Sequence, residues 1–135
     1  MALQQTYERK NIYKDFDISF NLNPITGDIG TKTDVNAINQ SLKNLVNTNF
    51  YERPFQPFLG CNIRGLLFEL ADPITMSDLK TAINETISNY EPRVSVIELR
   101  LDDLSDQNAY NVRIIYNILS SNTVNEFETI LKRLR

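Results

Sequence analysis

Apolar and polar residues alternate in three stretches of this chain and repeat at helical spacing in three others. Phe16, Ile18, Phe20 and Leu22 alternate with Asp15, Asp17, Ser19 and Asn21, the period-two pattern of a half-buried strand. Asn23-Pro24-Ile25-Thr26-Gly27 follows. Pro sets φ and Gly permits a positive φ, so a turn and a short return strand near 28–30 would close a hairpin. Val35, Ile38, Leu42, Leu45 and Val46 predict a helix with one apolar face, capped by Thr33 or Asp34. Ile63, Leu66, Leu67 and Leu70 predict a second, short helix over 62–70, broken by Asp72-Pro73. Met76, Leu79, Ile83, Ile87 and Tyr90 predict a third. It starts near Thr75, with Asp78 in a capping-box-like position, and stops at Pro92.

The last third alternates again. Ser95, Ile97, Leu99 and Leu101 fall on one face of a strand, with Val94, Val96, Glu98 and Arg100 on the other. After a turn over 102–108, Tyr110, Val112, Ile114, Tyr116 and Ile118 alternate with Asn111, Arg113, Ile115 and Asn117. This is the clearest strand signal, with β-branched and aromatic residues on the buried side. Residues 124–135 fit a helix through Phe127, Ile130, Leu131 and Leu134; a third strand also fits. The fold class is α+β: a small antiparallel sheet of two to three strands packed with about three helices, plus an N-terminal hairpin. A length of 135 residues suits a single domain, with 1–14 as an arm and 124–135 as a tail or arm.

Between the first two helices, residues 50–60 read FYERPFQPFLG. Two prolines three residues apart exclude a regular helix there. Phe50, Tyr51, Phe55 and Phe58 are expected to pin this loop to the core, and Glu52 and Arg53 are its candidates for partner contact.

Composition narrows the chemistry. A 41% hydrophobic and 23% charged chain is globular, and no apolar run approaches the ~20 residues of a membrane span. The absence of His removes His-dependent triads and most zinc ligation. A single Cys, Cys61, makes no internal disulfide. The polar start, 1–6, reads as cytosolic synthesis. No metal or cofactor is expected. The net charge of −3 divides as +1 over 1–64 and −4 over 65–135. No basic stripe forms, so no nucleic-acid partner is expected. The basic end Lys132-Arg133-Leu134-Arg135 reads as a solvated or partner-facing terminus.

DFDISF, NPITGDIG, a helix, YERPFQPFLG, LLFE and NYEPRV before a strand pair stand here in order. Together they resemble the baseplate wedge, or sheath-initiator, family of contractile-tailed bacteriophages. That family has type VI secretion relatives and is also called lysozyme-like. The resemblance covers roughly 14–120. It implies a structural protein of the virion tail baseplate, assembled in the host cytoplasm, in six copies, one per wedge. Its partners would be other baseplate wedge proteins on one side and the tail sheath protein on the other. The resemblance implies wedge docking through Glu91, Pro92 and Arg93. It also implies sheath-facing strands, here Tyr110, Val112, Ile114, Tyr116 and Ile118, with Arg133 and Arg135. An open strand edge is a physical template for such pairing. The alternative for the tripeptide is an internal Glu91–Arg93 or Arg93–helix-end interaction that only shapes the helix-to-strand corner.

Two other function classes remain. A peptidoglycan hydrolase would need two carboxylates across a cleft. Glu69 with Asp72, or Glu91 with Glu98, are the candidate pairs, but neither comes with a sugar-binding aromatic cluster, so no catalytic residue is expected. The third class is a free-standing adaptor domain.

Overall fold

The computed structural model describes residues 12–133. They divide between two compact units, one ending at Ile38 and one beginning at Asn39. The expected arm falls mostly outside the described residues, as do Leu134 and Arg135.

In the first unit, β1 (Lys14–Phe16) pairs antiparallel with β2 (Thr31–Thr33), and Leu22 bridges Ile29 further out. The hairpin is therefore present, but its return strand comes later than 28–30. The alternating run is not a half-buried strand either: Phe16, Ile18, Phe20 and Leu22 are all exposed. The Asp17 carboxylate accepts from the Ser19 N–H at 3.0 Å, and Phe20 takes φ +51°. This local turn interrupts the strand where the side-chain pattern continues. At the tip, Asn23 Oδ1 accepts from Ile25 N–H, and Gly27 takes φ +67°.

Helix α1 (Asp34–Asn47) opens in this unit and continues in the second. Asp34 does not cap it: its Oδ1 accepts from the Ile12 and Tyr13 N–H groups, at 2.9 and 3.1 Å. Leu42, Leu45 and Val46 are buried, as their spacing predicts.

The expected helix over 62–70 is reduced to a single 3-10 turn, Leu66–Phe68. It has no side-chain cap, and Gly65 at its start favours the unfolded backbone. Ile63 and Leu67 still reach the core, while Leu70 is exposed. Asp72-Pro73 starts a helix rather than breaking one. In α2 (Pro73–Tyr90), Asp72 Oδ1 accepts from Thr75 N–H at 2.7 Å, and Pro73 occupies the first turn, where its missing N–H costs nothing. Leu79, Ile83 and Ile87 form its buried stripe.

Strands β3 (Val94–Leu104), β4 (Ala109–Ile118) and β5 (Thr123–Lys132) form one antiparallel sheet with β4 in the centre. Residues 124–132 are thus strand, not helix. Their inward positions include polar Asn125 and Thr129, so only Phe127 and Leu131 carry the apolar signal, four residues apart like a helix stripe. In β3, Val96 pairs with Tyr116 while Glu98 pairs with Ile115, leaving Ile97 as a bulge. The bulge reverses the alternation: Val94 and Val96 share the inner face with Leu99 and Leu101, and Ile97 is exposed. Uninterrupted alternation puts Ile97 on the wrong face.

The sheet is buried on one side only, with Ile97, Val124 and Ile130 exposed on the other. Tyr110, Val112, Ile114, Tyr116 and Ile118 line its inner face with Phe127 and Leu131, and α2 packs beside β3. The outer face carries Arg113 between Glu126 (2.9 Å) and Glu128 (3.4 Å), with Arg100 on Glu98 at 2.7 Å.

The loop 50–60 is tied to the second unit by its backbone and not by its aromatics. Tyr51, Phe55 and Phe58 are exposed, contrary to the expected packing. The loop's attachment is Gly60-Cys61: Cys61 N–H donates to the Thr48 carbonyl at 2.7 Å, and Thr86 Oγ1 donates to the Gly60 carbonyl at 3.2 Å. Burial pushes the Cys61 thiol up to about 11. Gly60 takes φ +128°, and a Cβ there would collide with the Thr48 carbonyl. Gly60→Ala is expected to destabilise the protein by more than about 2 kcal/mol in urea denaturation. A change within about 0.5 kcal/mol would show that the loop attachment relaxes freely.

Candidate docking corner and strand edges

The end of α2 builds a closed polar corner. Glu91 N–H donates to the Ile87 carbonyl at 2.9 Å, and Pro92 cannot extend the helix. Arg93 hands the chain to β3, its carbonyl accepting from Leu119 N–H at 3.1 Å. Glu91 is 2% exposed. Arg93 grips it with two prongs, Nε to Oε1 at 2.6 Å and Nη2 to Oε2 at 2.8 Å. Ser41 Oγ donates to Oε2 as well. Burial alone would raise the Glu91 pKa; the Arg93 and Ser41 hydrogen bonds and the Arg93 charge outweigh it and hold the carboxyl below its usual range. Next to it, the Tyr116 hydroxyl donates to Asn39 Oδ1 at 2.6 Å, and burial, with the Glu91 charge, pushes it up to about 12.

The structure therefore brings Glu91 and Arg93 together as an internal pair, with Pro92 exposed beside them. Ser41, Asn39 and Tyr116 complete the corner; the sequence places Tyr116 on a sheath-facing strand and singles out neither Ser41 nor Asn39. Ser41 lies 50 residues from Glu91, and its helix position gives no local sign of the contact.

The other expected site residues are placed differently. Glu52 and Arg53 are exposed on the aromatic loop. Glu52 accepts from the Asn49 side chain and backbone N–H, both at 3.1 Å, and these bonds lower its pKa. Tyr110, Val112, Ile114, Tyr116 and Ile118 are core residues of the central strand, hydrogen-bonded on both sides. Their side chains face inward, and neither they nor their main chain is offered to a further strand here. Arg133 is nearly buried; its Nη2 donates to the Glu69 carbonyl at 3.0 Å and its guanidinium centre lies 5.6 Å from the Tyr110 ring centroid. Arg135 lies outside the described residues.

The sheet's edges are β3 and β5, and among the described residues neither pairs outward with another strand. They are unlike. The β3 edge carries the Ile97 bulge, which blunts an edge. The β5 ladder with β4 runs unbroken from Thr123 to Lys132. A groove of about 420 Å³ runs beside its end, lined by Val46, Ile63, Leu67 and Leu131, with Arg64 and Lys132 among its walls.

Three of the four carboxylates in the hydrolase pairs, Asp72, Glu91 and Glu98, have other partners. Asp72 caps α2, and the Thr75 N–H lowers its pKa; Arg100 lowers that of Glu98. A glycosidase acid needs the opposite shift. Among the described residues no group of three or more His, Cys, Asp or Glu could hold a metal ion.

The class is an α+β protein with a helix-backed, three-stranded antiparallel sheet and an internally paired Glu91–Arg93 corner. Residues 32–123 match the family described as baseplate wedge protein gp25, and the chain belongs to that family. It is 26% identical over 110 residues to the baseplate wedge protein gp25 of Enterobacteria phage T4, covering 82% of this chain and 83% of that protein. Among solved structures, a tail-lysozyme-designated protein of Geobacter sulfurreducens shares the fold with TM-score 0.69 at 20% identity. That match covers 73% of this chain and 89% of the other. A chain of the anti-feeding prophage baseplate matches with TM-score 0.63 at 18% identity, covering 91% and 87%. A chain of the pyocin R2 post-contraction baseplate matches with TM-score 0.53 at 13% identity, covering 83% and 96%. The family expected from the sequence motifs is the one found.

The depressed Glu91 pKa has a thermodynamic signature. Its stabilisation is complete above the unfolded carboxyl value, about 4.3, and is lost as pH falls through the lower folded value. Glu91→Gln is expected to cost about 2 kcal/mol at pH 7, with the difference from wild type narrowing towards pH 3 in a denaturation series. Equal losses at both pH values would show that the charge contributes nothing.

Proposed function

We propose that this protein sits in the baseplate wedge of a contractile tail and initiates the sheath by offering the β5 edge to a strand of the first sheath ring. The observation that carries this reading is the asymmetry of the sheet: one edge bulged, the other continuous and flanked by a groove of mixed apolar and basic lining. Added strands bind through main-chain hydrogen bonds, and adjacent grooves select their side chains. The family and the baseplate relatives supply the context. The partners are other wedge proteins and the sheath protein, with six copies in the virion baseplate, assembled in the host cytoplasm. The Glu91-Pro92-Arg93 corner is the wedge-docking element, presented as a rigid unit because its charges are already paired. The lowered Asp72, Glu91 and Glu98 pKa values support a structural role over a hydrolytic one.

Seeding of purified sheath protein tests the edge. Val124→Lys with Ile130→Lys changes two exposed β5 side chains and should leave stability within about 0.5 kcal/mol. The pair should abolish seeding while wedge incorporation persists, since edge lysines oppose strand addition. Undiminished seeding would remove β5 from the mechanism. Deleting 124–135 is a poor probe, because Phe127 and Leu131 belong to the core.

Arg93→Ala is similarly unsuitable for docking, since it strands the buried Glu91 charge. Glu91→Gln with Arg93→Met removes both charges at similar volume and is expected to fold but to be missing from the wedge complex. Stoichiometric incorporation of that folded variant would assign the corner to folding alone.

A further inference from the structure

The exposed aromatic loop creates a pocket that neither strand addition nor the corner uses. Phe50, Phe58 and Tyr90 line a cavity of about 350 Å³ together with Asn62, Asn89 and Glu85, the last being the only charged residue in the lining. The Phe50 and Phe58 rings stand at right angles, 88°, with centroids 6.3 Å apart. Tyr51 adds a third ring, its centroid 5.9 Å from that of Phe58.

The walls are held in place from outside the pocket. Tyr90 Oη donates to the Phe58 carbonyl at 2.8 Å, fastening the loop to the end of α2. Tyr51 N–H donates to the Pro57 carbonyl at 2.6 Å, closing the loop on itself. Tyr51 and Phe55 take φ of +66° and +69°, left-handed values that bulky side chains rarely adopt. Such strain persists only where the surrounding structure imposes it, and it is concentrated at binding and switch segments.

The lining selects its ligand by charge. Aromatic faces carry negative potential and attract a cation, and a carboxylate beside them adds to the attraction. Glu85 is exposed and enters none of the ion pairs among the described residues. A phosphate or nucleotide would meet that carboxylate with no cation in the lining to offset it. The same loop leaves further apolar surface uncovered: Tyr51, packed on Phe58, is 74% exposed, and Phe55 is fully exposed. A free small molecule would leave both wet.

We propose that this pocket receives an arginine or lysine side chain of a neighbouring protein subunit, whose surface covers Tyr51 and Phe55. The proposal does not depend on the sheath reading, because it lies on the α2 and 50–60 side and uses none of β5.

Full-length protein is titrated with N-acetyl-arginine amide, N-acetyl-lysine amide and the neutral N-acetyl-norleucine amide, with the aromatic ring and Glu85 carboxylate resonances followed by NMR. Both cationic probes are expected to give saturable shifts at Phe50, Phe58 and Tyr90, and norleucine none. The stronger of the two cations identifies the anchoring residue type. Glu85→Gln, an exposed change that leaves melting unaltered, should weaken binding about tenfold through loss of a charge-assisted hydrogen bond. Phe58→Leu keeps an apolar wall without a π face and should weaken it several-fold. Shifts with norleucine equal to those with the cations would make this an ordinary apolar surface and overturn the proposal. So would an absence of shifts with any probe, or unchanged affinity in Glu85→Gln.

Discussion

Everything in the second unit depends on burying one face of β4. Five alternate side chains, Tyr110 to Ile118, are at most 3% exposed, and two of them are tyrosines. Burying each large apolar side chain contributes roughly 1.5–3 kcal/mol, so this face alone contributes on the order of 10 kcal/mol, comparable to the whole net stability of a typical domain. The demand propagates outward. The strand needs a neighbour on each side for its main-chain groups and helices over its inner face. α1 and α2 supply Leu42, Leu45, Leu79, Ile83 and Ile87 to the same core. The opposite face needs no cover because its charges neutralise one another, Arg113 between Glu126 and Glu128 and Arg100 on Glu98.

The Glu91 corner follows from that core. A chain leaving α2 for β3 must turn against the buried end of the sheet, and Pro92 sets the turn. A carboxylate held there loses water and would be costly if left unpaired. The two-pronged Arg93 contact and the Ser41 hydroxyl offset that cost, and in doing so fix Arg93 in one direction. The internal pair and an external docking role are thus compatible. Pairing costs Arg93 much of its hydrogen-bonding capacity but gives Pro92 and the adjoining backbone a single, rigid presentation.

How much of this was legible in the sequence varied with the range of the interaction. β4 was legible throughout, because period-two alternation of β-branched and aromatic residues is a local signal that burial on one face imposes. α1 and α2 were legible for the same reason at helical spacing. The order ERPFQPFLG then EPR pointed to the family, and both segments lie within the matched span. What failed were features set by single backbone events or distant partners. One bulge at Ile97 inverts the face of half a strand. Asp72-Pro73 is a start or a stop depending only on which side the helix lies. β5 stands open between helix and strand in the sequence because Thr129 occupies an inward position that a neighbouring strand tolerates. Ser41 meets Glu91 only after folding.

The exposed aromatics of the 50–60 loop are the most informative of these failures. Size and apolarity argue for burial, and prolines with positive φ values argue for a backbone that cannot deliver it. A sequence selected for stability alone would relax one or the other, since strained φ and exposed Phe each oppose folding. Here both persist while Gly60, Thr86 and Tyr90 hold the loop in place through three separate contacts. A rigidly mounted apolar projection loses little conformational entropy when a partner covers it, which is the condition under which a few aromatic side chains can dominate an interface. The outer face of the sheet has the opposite character, being internally neutralised and flat in charge. The fold thus leaves apolar surface exposed at the loop and, among the described residues, outward main chain without a strand partner at the sheet edges.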